Sequence, residues 1–503
     1  MAGAVEWYNS AAHVHGVQLA PQHWVEERKH PAKNAARHNT FGSPASTHDA
    51  GAGLGRECVM RPVGERQRRW EEAKHPGKID VQQETPSPAS TAAAEATSPT
   101  TIGDSPSTST YPAPGPAPTT PGYDSLASGL PRGTLPYLIA EQFPEEFFNL
   151  RLASVLRGLA IPLSLMAAGY CALWYGHSFA PLWQTLLAWL AIGTGYTGVF
   201  TVAHTASHYA LLPDADPVQD IIGAVLMAPA LVAFNPWRDR FIAHIAAPNM
   251  LHQDPAGWQP VTVRQLRGAG PLQRLWLRLC CTTPLKLLGS VAHWFSSWGE
   301  MDLNTYQPLD RRAALMSWAV PLLFMGFAWP GMVAAGGLAG WATWWLMPWL
   351  VFHLWLSTLT LLQHTAPHIP FHPPGPDYDM GRAVISGTVT VALPRWLELL
   401  LNDANYHLPQ HLSPAIPFYH ARAAQAWLST RLGPYLTQTR LSWGLVSGLL
   451  TRCQVWDESS GVYRGFREVE ADLEAEAAQA RDAQAEGGGA AAVGAALPEA
   501  TGL

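Results

Sequence analysis

Charge is what this sequence has least of, and the places without it are informative. Asp, Glu, Lys and Arg make up 14% of the 503 residues, against about 25% in ordinary soluble domains. The deficit is concentrated: no charged residue occurs from Gly158 to Pro213, and none from Ala313 to Pro376. A bilayer span needs about 20 apolar residues, so each stretch has room for two spans and a turn. Two such stretches argue against a soluble core and for a membrane protein. Their lack of Asp, Glu, Lys and Arg also argues against a transporter, whose pathway charged residues normally mark.

Other patterns are missing too. The five cysteines are odd in number and lack C-x-x-C spacing, so no disulfide framework is read from them. The net charge of −6 is small, and no helix-turn-helix, zinc-finger or RNP pattern accompanies it, which argues against a nucleic-acid partner. No apolar segment follows the start, as a secretory signal would require.

What is present divides in three. Residues 1–130 read as a disordered leader, polar at first and then rich in Pro, Ser, Thr and Ala over 84–122, a composition that cannot bury enough surface to fold. Its Ser/Ala-rich part fits an organelle targeting segment, whereas Glu6, Glu26, Glu27 and its length do not. Residues 131–466 carry the apolar stretches. Residues 467–503 form an Ala/Glu/Gly-rich tail, read as an exposed helix followed by a coreless end.

Within the middle part, spans are predicted at Leu156–Trp174, Pro181–Ala203, Ala313–Ala335 and Leu338–Leu362. The connectors YGHSFAP and Gly336-Gly337 are short and make two hairpins. Ile221–Phe234 is apolar but only 14 residues long, too short to cross, and reads as a re-entrant or interfacial helix. The connectors lack Lys and Arg, while Arg151, Arg157, Arg238, Arg240, Arg264, Arg267, Lys286, Arg311, Arg312, Arg382 and Arg395 gather at the opposite ends. By the positive-inside rule both hairpins dip from one face and return to it. The expectation is an all-α membrane protein, with four transmembrane helices in two hairpins and a soluble helical cap on one side.

Three histidine clusters fall on that side. His204 and His208 stand at the exit of the second predicted span. Residues i and i+4 share a helix face, so both imidazoles can aim at one metal. The second cluster is sparse: His244, with His252 further on. The third is split between His364 and His368 in QHTAPHIPF and His407 and His411 in YHLPQHLSPAIP. Imidazole suits iron, zinc and copper alike, so histidine does not name the metal. A lone HxxxH at a membrane boundary equally reads as ordinary hydrogen-bonded histidines. What favours a site is that distant pairs converge on one face by an independent argument from charge. His353 lies inside the fourth predicted span and reads as a buried, hydrogen-bonded residue. The leader histidines are background.

The strings PWR (236–238), NML (249–251) with Trp258-Gln-Pro, WLMPW (345–349), QHTAPHIPF (363–371) and HLSPAIP (411–417) are long and unusual. Through them the chain, from about Pro131 to Phe466, resembles membrane fatty acid desaturases, in particular the plastid and cyanobacterial omega-6 (delta-12) type. The resemblance implies a four-span membrane domain whose histidine boxes hold a di-iron centre. It implies that dioxygen and ferredoxin electrons serve to remove two hydrogens from an acyl chain of a membrane lipid. It also implies a chloroplast membrane with the histidines on the stromal side. The implied metal ligands are His204, His208, His244, His364, His368, His407 and His411.

The boxes are degenerate, however. The family pattern is approximately HDxxH, HDxHH and HxxHH, with another His between the last two. Thr205 stands where an acidic residue is usual, Phe241 and Ile245 replace two ligands, and Gln410 replaces a third. Phe and Ile cannot bind iron, so an ordinary two-iron centre is not expected; the side of His204, His208, His407 and His411 has ligands left for one iron, and which ligand serves which iron stays open. No fused cytochrome b5 signature is present, since HPGK at 75–78 is not HPGG. Two readings stay open: a desaturase, or a non-catalytic desaturase-like protein that binds lipid or an active partner.

Overall fold

Inside a bilayer no water is available to bond exposed peptide groups, so uncharged stretches of this length fold as helices. The computed structural model describes residues 123–493, apart from 128, 177–180, 213–214, 255–258, 300–307 and 376. Most of the leader, the end of the tail and Trp258 thus lie outside the described residues. The first span runs Leu152–Gly176 and the second Leu182–Ser207. The first exceeds the expected bounds at both ends and the second at its C-terminal end, because helices continue past the hydrocarbon into the interface. Outward-facing leucines such as Leu156 and Leu187 are exposed, as are Trp174, Tyr175 and Trp183 at the tip of the hairpin. That is the pattern of a lipid-facing surface with an aromatic belt.

The second uncharged stretch forms a helical run of 53 residues, Arg312–His364. Its backbone leaves helical geometry at Gly336 (φ −158°) and Gly337 (φ 63°, ψ −157°), the second a conformation essentially reserved for glycine. Beyond this break the chain doubles back. The Trp329 ring lies 5.4 Å from that of Trp341 and 4.8 Å from that of Trp345. In a straight helix residues 329 and 341 would be about 18 Å apart along the axis. The run is therefore two spans in a hairpin, as the pair of glycines predicts. The returning span contains a π-helical turn at Ala342–Leu346 and continues as Met347–His364.

The expected re-entrant segment is a bent pair. Helix Asp216–Met227 and the short turn Ala228–Ala230 lead into helix Phe234–Ala246, with a bend of 96° between the two arms. Leu231 at the corner has a φ of 55°, costly for a bulky residue. The carbonyls freed by the bend are satisfied by tryptophan. Trp345 Nε1 donates to Pro229 O and Trp349 Nε1 to Ala230 O, each at 3.0 Å. Trp294 and Trp298 both donate to Leu231 O, at 2.8 and 3.0 Å. In WLMPW the two indoles sit four residues apart and so share a helix face, which lets them reach consecutive carbonyls.

The cap is mostly helical but holds five short strands, of two to four residues each, that the helical pattern did not announce. Strand β1 (Val261–Thr262) pairs parallel with β4 (Val455–Asp457), which pairs antiparallel with β5 (Val462–Arg464). Strand β2 (Val389–Ala392) pairs parallel with β3 (Thr437–Arg440). Strands this short carry no readable alternation. The helix Phe466–Val493 docks on the cap through Phe466, Val469 and Leu473, which pack with Leu266, Leu277 and Val455.

Cap and membrane domain are joined at Asn402. Its Nδ2 donates to Gly158 O of the first span at 2.7 Å and to Gly198 O of the second at 2.8 Å. Gly198 permits this approach, because a Cβ there would stand 2.2 Å from Leu400 O. The cap is thereby held against the ends of both helices.

Candidate metal centre

The second and fourth spans end beside each other, and their last turns carry His204 and His364. Helix Phe234–Ala246 runs past them. Its residues at 237, 241 and 244 follow the i, i+4, i+7 spacing of one face, so Trp237, Phe241 and His244 all point inward. The fourth element is the single turn Leu408–Leu412, with His407 at its N-cap and His411 on the same face.

Four imidazoles meet there. His244, His364, His407 and His411 are all buried, and one ring nitrogen from each lies within 4.8 Å of the others. His407 Nε2 and His411 Nε2 lie 2.9 Å apart. Both ring nitrogens of His364 are buried without a hydrogen-bond partner among the described residues, which is costly unless something else engages them. Opposite ligands on a metal with bonds of about 2.0–2.1 Å lie about 4 Å apart, so the donors fit one ion with little adjustment. Burial, and next His244 and His208, push His407 down to about 3. Its imidazole is therefore neutral at physiological pH, the form that binds metal.

Asp254 supports the cluster. One carboxylate oxygen accepts from His244 Nδ1 at 2.8 Å, which leaves Nε2 as the lone-pair nitrogen. The other oxygen accepts from the backbone N–H of Asn249 at 3.1 Å. Asn249 Nδ2 donates to His364 O at 3.2 Å, so the NML string ties the loop to the end of the fourth span. Asp254 escaped the sequence reading because it sits in an irregular loop ten residues after His244. The available signal was a lone carboxylate within an otherwise apolar, motif-bearing segment.

The remaining predicted residues are placed differently. His204 and His208 are neighbours, with ring centroids 4.8 Å apart. They are not among the four that converge: Phe241 lies against them at 4.3 and 5.1 Å, and its ring also neighbours His244 and His407 at 5.7 and 5.9 Å. The four that converge are thus not His204 and His208 with His407 and His411, the side on which the sequence left ligands for one iron. Thr205 returns its hydroxyl to Thr201 O at 3.1 Å. His368 turns away after the end of the fourth span, 3.1 Å from Thr437 Oγ1 and edge-on to Tyr123. Ile245 and Gln410 are buried, and His252 is exposed. His353 is buried against Ser290 Oγ at 2.8 Å, a packed histidine as expected.

Fold and site define an integral membrane protein with a buried imidazole cluster where its spans meet a helical cap. The chain belongs to the fatty acid desaturase family of oxidoreductases: the family's model matches residues 181–443. It is 31% identical over 348 residues to the chloroplastic omega-6 fatty acid desaturase of Spinacia oleracea, covering 69% of this chain and 75% of that protein. It is 33% identical over 324 residues to the protein of the same name from Glycine max, covering 64% and 74%. It is 33% identical over 328 residues to the sn-1 oleoyl-lipid 12-desaturase of a Synechocystis species, covering 65% and 90%.

Proposed function

We propose that this protein acts on an acyl chain of a membrane lipid, as an oxidoreductase of the omega-6 (delta-12) desaturase type. The observation that carries the reading is the four-histidine cluster His244, His364, His407 and His411, buried at the ends of apolar spans. These residues would hold the metal, which by the family's chemistry is iron working with dioxygen. An unactivated C–H bond demands such a cofactor, and the protein's task is to hold and shield it. Asp254 keeps the His244 ring oriented. The apolar spans around the cluster bring a lipid chain to it without exposing the chain to water. Ferredoxin is the proposed electron donor, and a chloroplast membrane the proposed site, with residues 1–130 as leader, 131–466 as the desaturase-like domain and 467–503 as tail. These rest on the names of the relatives and on composition.

The test is expression in a host whose membranes carry oleoyl lipids, with acyl chains analysed by gas chromatography. Dienoic chains should accumulate, and should be lost in His407→Ala. A second reading, a non-catalytic lipid-binding relative, is favoured by Phe241 lying between the two histidine groups. It predicts that no new double bond appears although the protein accumulates and retains metal.

A further inference from the structure

Two groups of imidazoles face each other across one aromatic ring, and they are not equivalent. The four-histidine group supplies more donors than the three protein ligands that catalytic metal sites usually keep. The other group has two donors, His204 and His208. Among the described residues the four histidines are the one set of three or more His, Cys, Asp or Glu side chains that converges this closely. Among the described residues, no third side chain of these types therefore comes as close to His204 and His208. Nε2 of each is nonetheless buried without a hydrogen-bond partner. They stand as the remnant of a ligand set whose next position is filled by Phe241.

Phe241 cannot easily vacate that position. It is 6% exposed and stacks on Trp237 with centroids 5.3 Å apart and planes 11° from parallel. Trp237 also meets the His204 ring edge-on, at 5.3 Å. The phenyl ring is thus clamped by an indole on its own helix and by imidazoles of both groups, and it offers no lone pair to a metal.

We infer that this chain holds one metal ion, on His244, His364, His407 and His411, and that Phe241 closes the second position of the two-metal centre implied by its family. The inference rests on reading the four-histidine cluster as a metal centre. It adds the stoichiometry and the residue responsible. Phe241 is a packing residue here and not a catalytic one, so its effect is on metal count and spectrum before it is on turnover.

The experiment counts iron and zinc per full-length chain purified in detergent, and records the electron paramagnetic resonance of the iron-loaded, oxidised protein. The expected count is about one per chain, with the signal of an isolated high-spin ferric ion. His411→Ala should lower the count several-fold, and His204→Ala should leave it unchanged. Phe241→His, which adds a third imidazole beside His204 and His208, should raise it toward two. A count near two in the unaltered protein, with a spectrum silenced by coupling, overturns the inference and leaves the metal-centre reading intact. A count near zero overturns both. Loss of metal in His204→Ala, or a count that stays at one in Phe241→His, removes Phe241 as the block. The unaltered protein and His204→Ala decide the matter even if Phe241→His does not fold.

Discussion

The carboxylate of Asp254 accepts a hydrogen bond from His244 Nδ1 at 2.8 Å, and both side chains are nearly sealed from solvent. It fixes both the tautomer and the ring orientation of a proposed ligand. Supporting partners of this kind typically contribute 10–100-fold to metal affinity. Asp254→Asn keeps the shape and removes the charge. Its metal retention against a competing chelator should fall by about that factor, while Gln253→Ala on the same loop should stay close to the unaltered protein.

A pH dependence follows from the buried imidazoles. Burial pushes His293 down to about 3, with Arg240 and His244 adding to the effect, and His407 lies at about 3 as well. Between there and the ordinary value of about 6.5, the unfolded chain binds more protons than the folded one. Stability is then fully present above about pH 6.5 and falls as the pH drops toward 3. The thermal midpoint of metal-free protein in detergent should decline steadily between about pH 6.5 and pH 4.5. A flat profile over that range would contradict the assignment. Added metal, which binds the neutral rings of the folded protein, should raise the midpoint across this range while leaving its decline with falling pH in place.

The re-entrant corner depends on indole donors. Trp349→Phe keeps most of the packing and deletes the hydrogen bond to Ala230 O. A buried carbonyl left without its partner costs about 1–3 kcal/mol. Trp345→Phe should behave alike at Pro229 O. Thermal unfolding of each single variant and of the pair should show lowered midpoints. Tryptophans at the hairpin tip, such as Trp174, should be replaceable with little effect in detergent.

Asn402 serves two helices at once. Asn402→Ala removes the donor to Gly158 O, whose helical partner position is Pro162 and offers no N–H, for a penalty of about 1–3 kcal/mol; Gly198 O loses its second donor but keeps its place in the helix ladder. Gly198→Ala drives a Cβ against the backbone oxygen of Leu400, which no rotamer change can relieve. Both variants should loosen the cap from the spans, read as faster limited proteolysis in the cap. Conversely, Gly268→Ala, where a Cβ meets nothing within 4 Å, should leave proteolysis unaltered.

Much of the architecture was legible because it follows from one-dimensional rules. Gly336 and Gly337 marked a turn, and the structure bends there, with Gly337 in a conformation other residues avoid. The PWR, NML and WLMPW strings marked the family, but their physical reasons were hidden. Only when helices are set side by side does Trp349 meet Ala230 O, or Asn249 meet His364 O. The five short strands were illegible for a different reason: two to four residues are too few to show alternation.

By itself, the sequence marked which stretches form the candidate spans and where they turn. The length of an uncharged stretch against the thickness of a bilayer leaves little choice. It also determined that His204 and His208, and His407 and His411, form pairs, because four residues make about one helical turn. Only the tertiary structure decided which pairs meet. Periodicity states the face a residue takes on its own helix, never which faces of distant helices come into contact. That is set by packing, and here packing brings His244, His364, His407 and His411 together and stands Phe241 between them and the first pair.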